Sequence, residues 1–296
     1  MTIKTESCVF DHLPSDIAKQ LKDLLESEHF TGHFTAEQYS NLLNNSNLSD
    51  TELKLALLPI AASRAYCAIS NFHVGAIAEG NSGSVYFGAN IEIPGVQLGQ
   101  TVHAEQSVIS HAWMKGETGI KNITINYTPC GHCRQFMNEL NGIEQLAIQL
   151  PNRPAYTLQD LLPDSFGPQD LGIKARLMDS TRHNYQSSEA SSFIQQAIKA
   201  LNISHAPYTN NHSGVALMLT SGEIFQGSYA ENAAFNPSLP PLQVAINLLL
   251  LSGYSLDDIQ SAVLAENSKA TISHLAETQS TLEAINPDIT VTYLSL

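Results

Sequence analysis

The second half of this chain repeats the first, and this repeat limits the possible folds more than any other feature of the sequence. The segment Tyr86-Phe87-Gly88-Ala89-Asn90-Ile91-Glu92 aligns with Phe225-Gln226-Gly227-Ser228-Tyr229-Ala230-Glu231. Around each segment the hydrophobic pattern runs in one order: helix, two strands, helix, strand, helix, strand. Two unrelated α/β halves could match by chance, but an internal duplication is the more economical interpretation.

Periodicity and turn residues predict corresponding elements in the two halves. In the first half, a capping box over 49–52 begins a helix. It is followed by strands over 73–78, 84–90, 122–127 and 145–150 and by helices over 102–114 and 133–140. In the second half, helices are predicted over 187–201, 241–251 and 270–284, and strands over 214–220, 223–229, 261–266 and 289–294. Such close mixing predicts an α/β fold with helices packed on both faces of a sheet.

The repeat and the composition around it divide the chain into four predicted parts. Residues 1–48 form a helical N-terminal segment, with helices starting near Ser15 and Thr35. Residues 49–150 are the first α/β domain and residues 187–296 the second. Between them, residues 151–186 form a proline-rich, polar linker.

Composition narrows the class of protein. The 296 residues are 43% hydrophobic and 14% charged, which is enough apolar material for a buried core, and the net charge is −14. Because so acidic a chain repels phosphate backbones, nucleic acid is not the expected partner. No signal peptide or membrane-spanning stretch is recognisable. Four cysteines are too few for a disulfide framework. We therefore expect a soluble, cytoplasmic protein.

Two short motifs in the first domain carry the chemistry. His103 and Glu105 belong to an H-A-E sequence, and Cys130 and Cys133 to P-C-G-H-C. One imidazole and two thiolates make a three-ligand zinc set that leaves the fourth tetrahedral position open for water. Both motifs are predicted at helix starts, where backbone N–H groups stabilise thiolate charge. Glu105 is placed to contact that water rather than to bind the metal.

Other interpretations of these motifs remain open from the residues alone. A closed zinc site that only stabilises the fold needs a fourth ligand, for which Cys67, His111 and His132 are candidates. Such a site would leave Glu105 without a purpose. A redox role for the C-x-x-C would account for neither His103 nor Glu105.

H-x-E followed by P-C-x-x-C is the signature of zinc nucleobase deaminases, and over its whole length the chain resembles cytidine deaminases of the long, homodimeric bacterial type. Segments 70–76 and 87–92 are similar to the substrate-binding segments of that family. The resemblance implies a three-layer αβα cytidine deaminase-like fold and one Zn²⁺ per chain. It also implies the substrate-binding residues, with Asn90 and Glu92 on the ribose, Phe72 against the base, and the backbone of Ala104 and Thr128 on the base edge. The alternatives are a core aromatic for Phe72 and a solvated strand end for Asn90 and Glu92.

The second domain lacks the metal motifs. Its counterpart of the H-A-E-Q segment is Pro240-Pro241-Leu242-Gln243, and it has no cysteine. It is therefore a degenerate, non-catalytic copy. In the family such a domain completes the site of the partner subunit in a homodimer, and Ala233-Ala234-Phe235 is the segment expected to reach across.

The predicted activity is zinc-dependent hydrolysis of cytidine and 2′-deoxycytidine to uridine and 2′-deoxyuridine with release of ammonia, as in pyrimidine salvage. Glu105 is the predicted proton carrier, taking a proton from water and delivering it to N3 and then to the leaving amine. A polynucleotide deaminase would need a basic groove, which the net charge disfavours. A non-catalytic zinc- or nucleoside-binding protein would not need Glu105. Cys8 and Cys67 receive no role.

Overall fold

The structure is a computed structural model that describes residues 10, 13, 15–25 and 30–296. Cys8 lies outside the described residues. The helices are α1 (Ser15–Leu25), α2 (Ala36–Ser46), α3 (Asp50–Ala62), α4 (Ala104–Met114), α5 (Gly131–Met137), α6 (Leu158–Leu161), α7 (Ser192–Leu201), α8 (Pro241–Leu251) and α9 (Leu275–Ile285). The strands are β1 (His33–Phe34), β2 (Tyr66–Cys67), β3 (Gly75–Gly80), β4 (Val85–Ala89), β5 (Ile91–Glu92), β6 (Ile120–Ile125), β7 (Ala147–Gln149), β8 (Ser213–Leu219), β9 (Ile224–Ser228), β10 (Ile259–Glu266) and β11 (Thr290–Ser295).

The two halves contain sheets with the same strand order, which confirms the duplication. One sheet has the order β1-β4-β3-β6-β7, and the other has β9-β8-β10-β11. In the first, β4, β3 and β6 are antiparallel neighbours and β7 runs parallel to β6. In the second, β9, β8 and β10 are antiparallel neighbours and β11 runs parallel to β10. Apart from the two-residue β1, the sheets are copies of one another.

Helices cover both faces of the first sheet, as the sequence predicts. Side chains alternate along β3, so Ala76 packs in one hydrophobic cluster with Val108 of α4. Ile77, the next residue, packs in a second cluster with Leu57 of α3. In the second half, β8 is covered in the same way by α8 on one face and α7 on the other. Each half is therefore an αβα sandwich.

Two equivalent glycines let the central helices approach the sheets closely. A Cβ at Gly88 of β4 would lie 2.4 Å from the backbone nitrogen of Val108 on α4. A Cβ at Gly227 of β9 would lie 2.4 Å from the backbone nitrogen of Ala245 on α8. Since no side chain fits there, both positions require glycine. This explains why Gly88 and Gly227 align in the internal repeat.

The two halves meet where α4 packs against α8. Asn247 of α8 donates its side-chain amide to the carbonyl oxygen of Ser107 on α4 at 2.9 Å. The Ser107 hydroxyl donates to the Asn247 Oδ1 atom at 2.5 Å. Both side chains are fully buried. Buried polar groups need hydrogen-bond partners, and these two find each other only when α4 and α8 pack in this orientation. The second half therefore fixes the helix that carries the H-A-E motif.

Two predicted helices begin later than their hydrophobic patterns suggest. The helix expected over 187–201 begins at Ser192 because the Gln195 side chain binds the backbone carbonyls of Ser187 and Glu189. The helix expected over 270–284 begins at Leu275. Just before it, the Ser273 hydroxyl and the backbone N–H of His274 donate to Glu266. In both places local hydrogen bonds compete with the helix.

The segment between the two sheets lies against the first half. Leu158, Leu177 and Met178 are buried in the main hydrophobic cluster, and Leu177 forms a β-bridge with Leu140.

No helix within the described ranges is long and apolar enough to cross a membrane.

Candidate active site

His103 is held at the amino end of α4. It is the N-cap residue of that helix, with φ −86° and ψ 156°. Its backbone N–H donates to the side-chain oxygen of Gln106 at 3.2 Å. The Gln106 amide in turn donates to the carbonyl oxygen of Pro237, in the second half, at 3.1 Å. Both halves of the chain therefore help to fix the backbone of His103.

Cys130 and Cys133 lie at the start of α5, with Cys130 as its N-cap residue. The His103 Nδ1 atom lies 3.5 Å from the Cys130 Sγ atom and 3.2 Å from the Cys133 Sγ atom, and the two sulfurs are 3.6 Å apart. Ligands of a tetrahedral zinc ion with Zn–S about 2.3 Å and Zn–N about 2.0–2.1 Å stand about 3.6–3.8 Å apart. The observed separations lie at or slightly below this range. The donor types fit zinc, and small side-chain movements would bring the three atoms to its spacing. These three residues are the one group of this kind among the residues described.

The electrostatics of the group favour a thiolate at Cys130. Hydrogen bonds from Cys133 and His103 lower the pKa of the Cys130 thiol to about 3. The pKa of Cys133 is raised, first by its hydrogen bond with Cys130 and then by burial. The pKa of His103 is raised by its hydrogen bond to Cys130. These contacts thus favour a thiolate at Cys130, and a bound dication would favour a thiolate at Cys133 as well.

The three candidate fourth ligands lie outside this group. His111 is fully buried and its Nδ1 atom bonds the carbonyl oxygen of Phe87. Cys67 is buried on β2. The ring of His132 stacks on the ring of His103, with centroids 5.3 Å apart, but His132 is not part of the metal-ligating group. A three-ligand site with one open position remains the arrangement that the geometry supports.

Glu105 is the second residue of α4, and only 4% of its surface is exposed. Burial raises the pKa of its carboxyl group above the ordinary range. Its side chain also forms a hydrogen bond with Cys133. A buried carboxyl group beside a metal-ligand set, at the start of a helix, can hold and release protons there.

Asn90 and Glu92 form a polar shelf just before and within β5. The Asn90 side chain accepts from the backbone N–H of Val74 and donates to the carbonyl oxygen of Phe72, both at 2.9 Å. Glu92 accepts from the backbone and hydroxyl of Ser70 at 2.8 and 2.6 Å. Burial raises the pKa of Glu92, but these hydrogen bonds outweigh it and the net pKa is lowered. The shelf is therefore anionic.

The remaining predicted residues differ in their exposure. Phe72 is 49% exposed, so it is not a core aromatic, and its ring lies 4.5 Å from that of Tyr127, which is equally exposed. Thr128 is exposed beside Tyr127, whereas Ala104 is buried at the first position of α4. The sequence analysis includes Ser70 only as part of segment 70–76 and gives Tyr127 and Gln106 no role. The signal for these two was their position next to Thr128 and Glu105.

A cavity of about 970 Å³ lies elsewhere. It is lined by residues at the carboxyl end of α4, including Trp113 and Lys115, and by residues 178–183. None of the three metal-ligating residues lines it. Because Cys130 is exposed, the metal-ligating group reaches the protein surface.

Comparisons with known proteins identify the family of this chain. Two matches to models of the cytidine and deoxycytidylate deaminase zinc-binding region cover residues 49–149 and 158–279. A cytidine deaminase from Vibrio atlanticus is 58% identical over 96% of both chains, and one from Vibrio cholerae is equally similar. The crystal structure of cytidine deaminase from Mycobacterium tuberculosis is 34% identical, covers 40% of this chain and 99% of its own, and has a TM-score of 0.37.

An αβα fold with a His-Cys-Cys metal group at two helix starts defines a zinc-binding hydrolase of the deaminase class. The chain belongs to the cytidine deaminase family. The predicted fold, family and zinc cofactor are confirmed. The second match covers the half without metal ligands, as expected for a copy that kept its fold.

Proposed function

We propose that the chain catalyses the hydrolytic deamination of cytidine and 2′-deoxycytidine, in the cytoplasm, as a step of pyrimidine salvage. The observation that carries this proposal is the buried carboxyl group of Glu105 beside the three metal-ligating atoms of His103, Cys130 and Cys133. Water adds at C4 of the base, the C4–N bond breaks, and the products are uridine or 2′-deoxyuridine and ammonia.

His103, Cys130 and Cys133 would hold the zinc ion. When bound, the zinc would lower the pKa of a water molecule and supply a nucleophile near neutral pH. Glu105 would take the proton of that water, deliver it to N3 of the base, and later carry a proton to the leaving amine. Its burial excludes bulk water from this transfer.

The shelf of Asn90 and Glu92 supports a nucleoside as the substrate. A carboxylate offers about four acceptor positions, so Glu92 can accept from a ribose hydroxyl while keeping its bonds from Ser70. A phosphate near this carboxylate would be repelled. Phe72 would lie against the base, and the backbone of Ala104 and Thr128 would contact the base edge.

We further propose that the protein is a homodimer in which the second domain of one chain completes the site of the other. The aromatic rings of Phe72 and Tyr127 lie exposed against each other on the first domain, and Phe235 is 61% exposed on the second domain. A second copy would cover these rings. The division into 1–48, 49–150, 151–186 and 187–296 stays a prediction.

The test is one assay on protein of measured zinc content. Cytidine, 2′-deoxycytidine, cytidine monophosphate and a short cytosine-containing single strand are compared by the ultraviolet change on deamination, and ammonia is measured. Turnover of the two nucleosides, with about one zinc per chain, is expected. Turnover of the strand alone would assign the chain to polynucleotide deamination. No turnover with zinc bound would leave a structural metal. Sedimentation equilibrium tests the dimer.

A further inference from the structure

A buried carboxylate joins the metal-bearing helix to the degenerate half. Glu139 follows the end of α5 and is fully buried. Its Oε1 atom accepts from His205 Nε2 at 2.9 Å and from the Tyr208 hydroxyl at 2.6 Å. Its Oε2 atom accepts from the backbone N–H of Ala233 at 3.0 Å. All three donors belong to the second half.

These bonds hold the loop formed by residues 232–238, the 232–238 loop. Besides the bond from Ala233 to Glu139, Asn232 donates its side-chain amide to the carbonyl oxygen of Gln135 on α5 at 2.8 Å. At the other end of the loop, the carbonyl oxygen of Pro237 accepts from Gln106 on α4. The loop is therefore fastened to both helices that carry metal ligands.

The loop exposes the aromatic ring of Phe235, whose backbone adopts an unusual conformation. Phe235 has φ +62°, in the left-handed region, and 61% of it is exposed. A bulky residue in that region is strained and persists only where its surroundings fix the backbone. The ring of Tyr208, whose hydroxyl binds Glu139, lies 6.3 Å from the ring of Phe235. The bonds to Glu139 thus lie beside the strained position.

We propose that Glu139 is a positioning residue that fixes the 232–238 loop, so that Phe235 is presented to the site of the partner subunit. This inference rests on the proposed homodimer. A buried carboxylate that loses its donors is strongly unfavourable. The loop therefore stays packed on α5 as long as Glu139 keeps its three hydrogen bonds from the second half. Glu139 then acts on the partner's site, although it lies beside the metal-bearing helix of its own chain.

The first experiment compares Glu139→Gln with Glu144→Gln, a matched change at an exposed position nearby. Tyr208→Phe, which removes one hydroxyl donor, serves as a milder variant in case Glu139→Gln does not fold. Glu139→Gln should raise KM for cytidine on the order of tenfold or more, because a bond to a charged group is lost. Its kcat and zinc content should change little. Glu144→Gln should match the wild type, and Tyr208→Phe should show a smaller rise in KM.

Mixed dimers separate an effect on the partner from an effect within the chain. One chain carries Glu105→Ala with an intact loop, and the other carries Glu139→Gln with an intact Glu105. Only the site with an intact Glu105, on the Glu139→Gln chain, is active. This site receives its 232–238 loop from the Glu105→Ala chain, so the KM of the mixed dimer should return to the wild-type value. A KM that stays raised, or a loss of zinc from Glu139→Gln, would overturn the proposal.

Phe235→Ala distinguishes failure of the proposed dimer from failure of the inference. If Phe235→Ala leaves KM unchanged, the proposed completion of the partner's site is wrong. If Phe235→Ala raises KM while neither Glu139→Gln nor Tyr208→Phe does, the dimer proposal stands and the role of Glu139 is wrong. The inference requires that Phe235→Ala and Glu139→Gln each raise KM. The double variant should then be little worse than either single variant, because both changes act through one loop.

Discussion

Glu92 and Glu231 occupy equivalent positions in the two halves and accept equivalent hydrogen bonds. Each binds two successive backbone N–H groups and the hydroxyl of the second residue. These donors are Ile69 N, Ser70 N and Ser70 Oγ for Glu92, at 3.0, 2.8 and 2.6 Å, and Tyr208 N, Thr209 N and Thr209 Oγ1 for Glu231, at 2.7, 3.2 and 2.6 Å. The second half has therefore kept this carboxylate and its pattern of donors while losing the metal ligands.

The two carboxylates should respond differently to the same substitution. Glu92→Gln should raise KM for cytidine by about tenfold or more, because a charged acceptor for the ribose is lost. Glu231→Gln should leave kcat unchanged and lower the free energy of unfolding by about 1–3 kcal/mol, since Glu231 is 1% exposed and its donors lose a charged partner. Steady-state kinetics and urea unfolding measure the two effects. Equal changes in KM would contradict the assignment of the ribose to Glu92 alone.

Glu105→Ala should abolish most of the rate while keeping the metal. Loss of general acid–base assistance costs about 10²–10⁴-fold in kcat, and a carboxyl group used in several proton transfers can cost more. The three metal-ligating side chains are unchanged in this variant, so about one zinc per chain should remain. Metal analysis and single-turnover deamination of cytidine check both points. Wild-type kcat with zinc bound would show that Glu105 is not the proton carrier.

Cys130→Ala should lose zinc, whereas Cys67→Ala should retain it. Cys130 supplies one of the three metal-ligating atoms, and Cys67 is buried outside that group. Two remaining protein ligands hold zinc far more weakly than three. Zinc content after gel filtration, together with the melting temperature, gives the comparison. Stoichiometric zinc in Cys130→Ala would remove this cysteine from the ligand set.

The metal ligands and Glu105 can be predicted from the sequence because they lie in two short motifs. His103 and Glu105 are two residues apart at the start of one helix, and Cys130 and Cys133 are three apart at the start of another, so local spacing makes each motif recognisable. The two matching sheets can also be predicted, because each half carries its own hydrophobic pattern of strands and helices. Two-residue strands such as β1 and β2 are too short for any periodicity to indicate them.

Contacts between the halves were beyond sequence reasoning. Glu139 and Ala233 are 94 residues apart, and Ser107 and Asn247 are 140 apart. Nothing in the surroundings of Glu139 along the chain distinguishes it from an exposed surface carboxylate. Its burial follows only from the packing of two domains, which depends on shape and not on a local pattern.

Gly88→Ala should destabilise the protein and lower its activity. The added Cβ would meet backbone atoms of Ala104 and Val108, so α4 must move away from β4. Forced overpacking costs about 1–3 kcal/mol or more, and here the shift also displaces the helix that carries Glu105. Gly99→Ala is the control because a Cβ at Gly99 meets nothing within 4 Å. Urea unfolding and kcat measure the comparison, and equal stability of the two variants would contradict the close approach.

His111 makes the free energy of unfolding depend on pH. Burial lowers its pKa to about 3, from a reference value of 6.5. Between these values the unfolded chain binds a proton that the folded chain excludes, so the free energy of unfolding falls as the pH falls below 6.5. The slope for one such group is about 1.4 kcal/mol per pH unit. Above pH 6.5 both states are neutral and the contribution is constant.

His111→Gln isolates this contribution, because glutamine can still donate to the carbonyl oxygen of Phe87 but does not titrate. Urea unfolding of both proteins at pH 7.5, 6.0 and 5.0 should show a steeper loss of stability in the wild type. Burial also lowers the pKa values of His212 and His274, each to about 4, and their effect has the same sign. Since both proteins share them, and share the metal ligands, these effects cancel in the difference. If the free energy of unfolding fell equally with pH in the wild type and in His111→Gln, His111 would have the same pKa in the folded and unfolded chain.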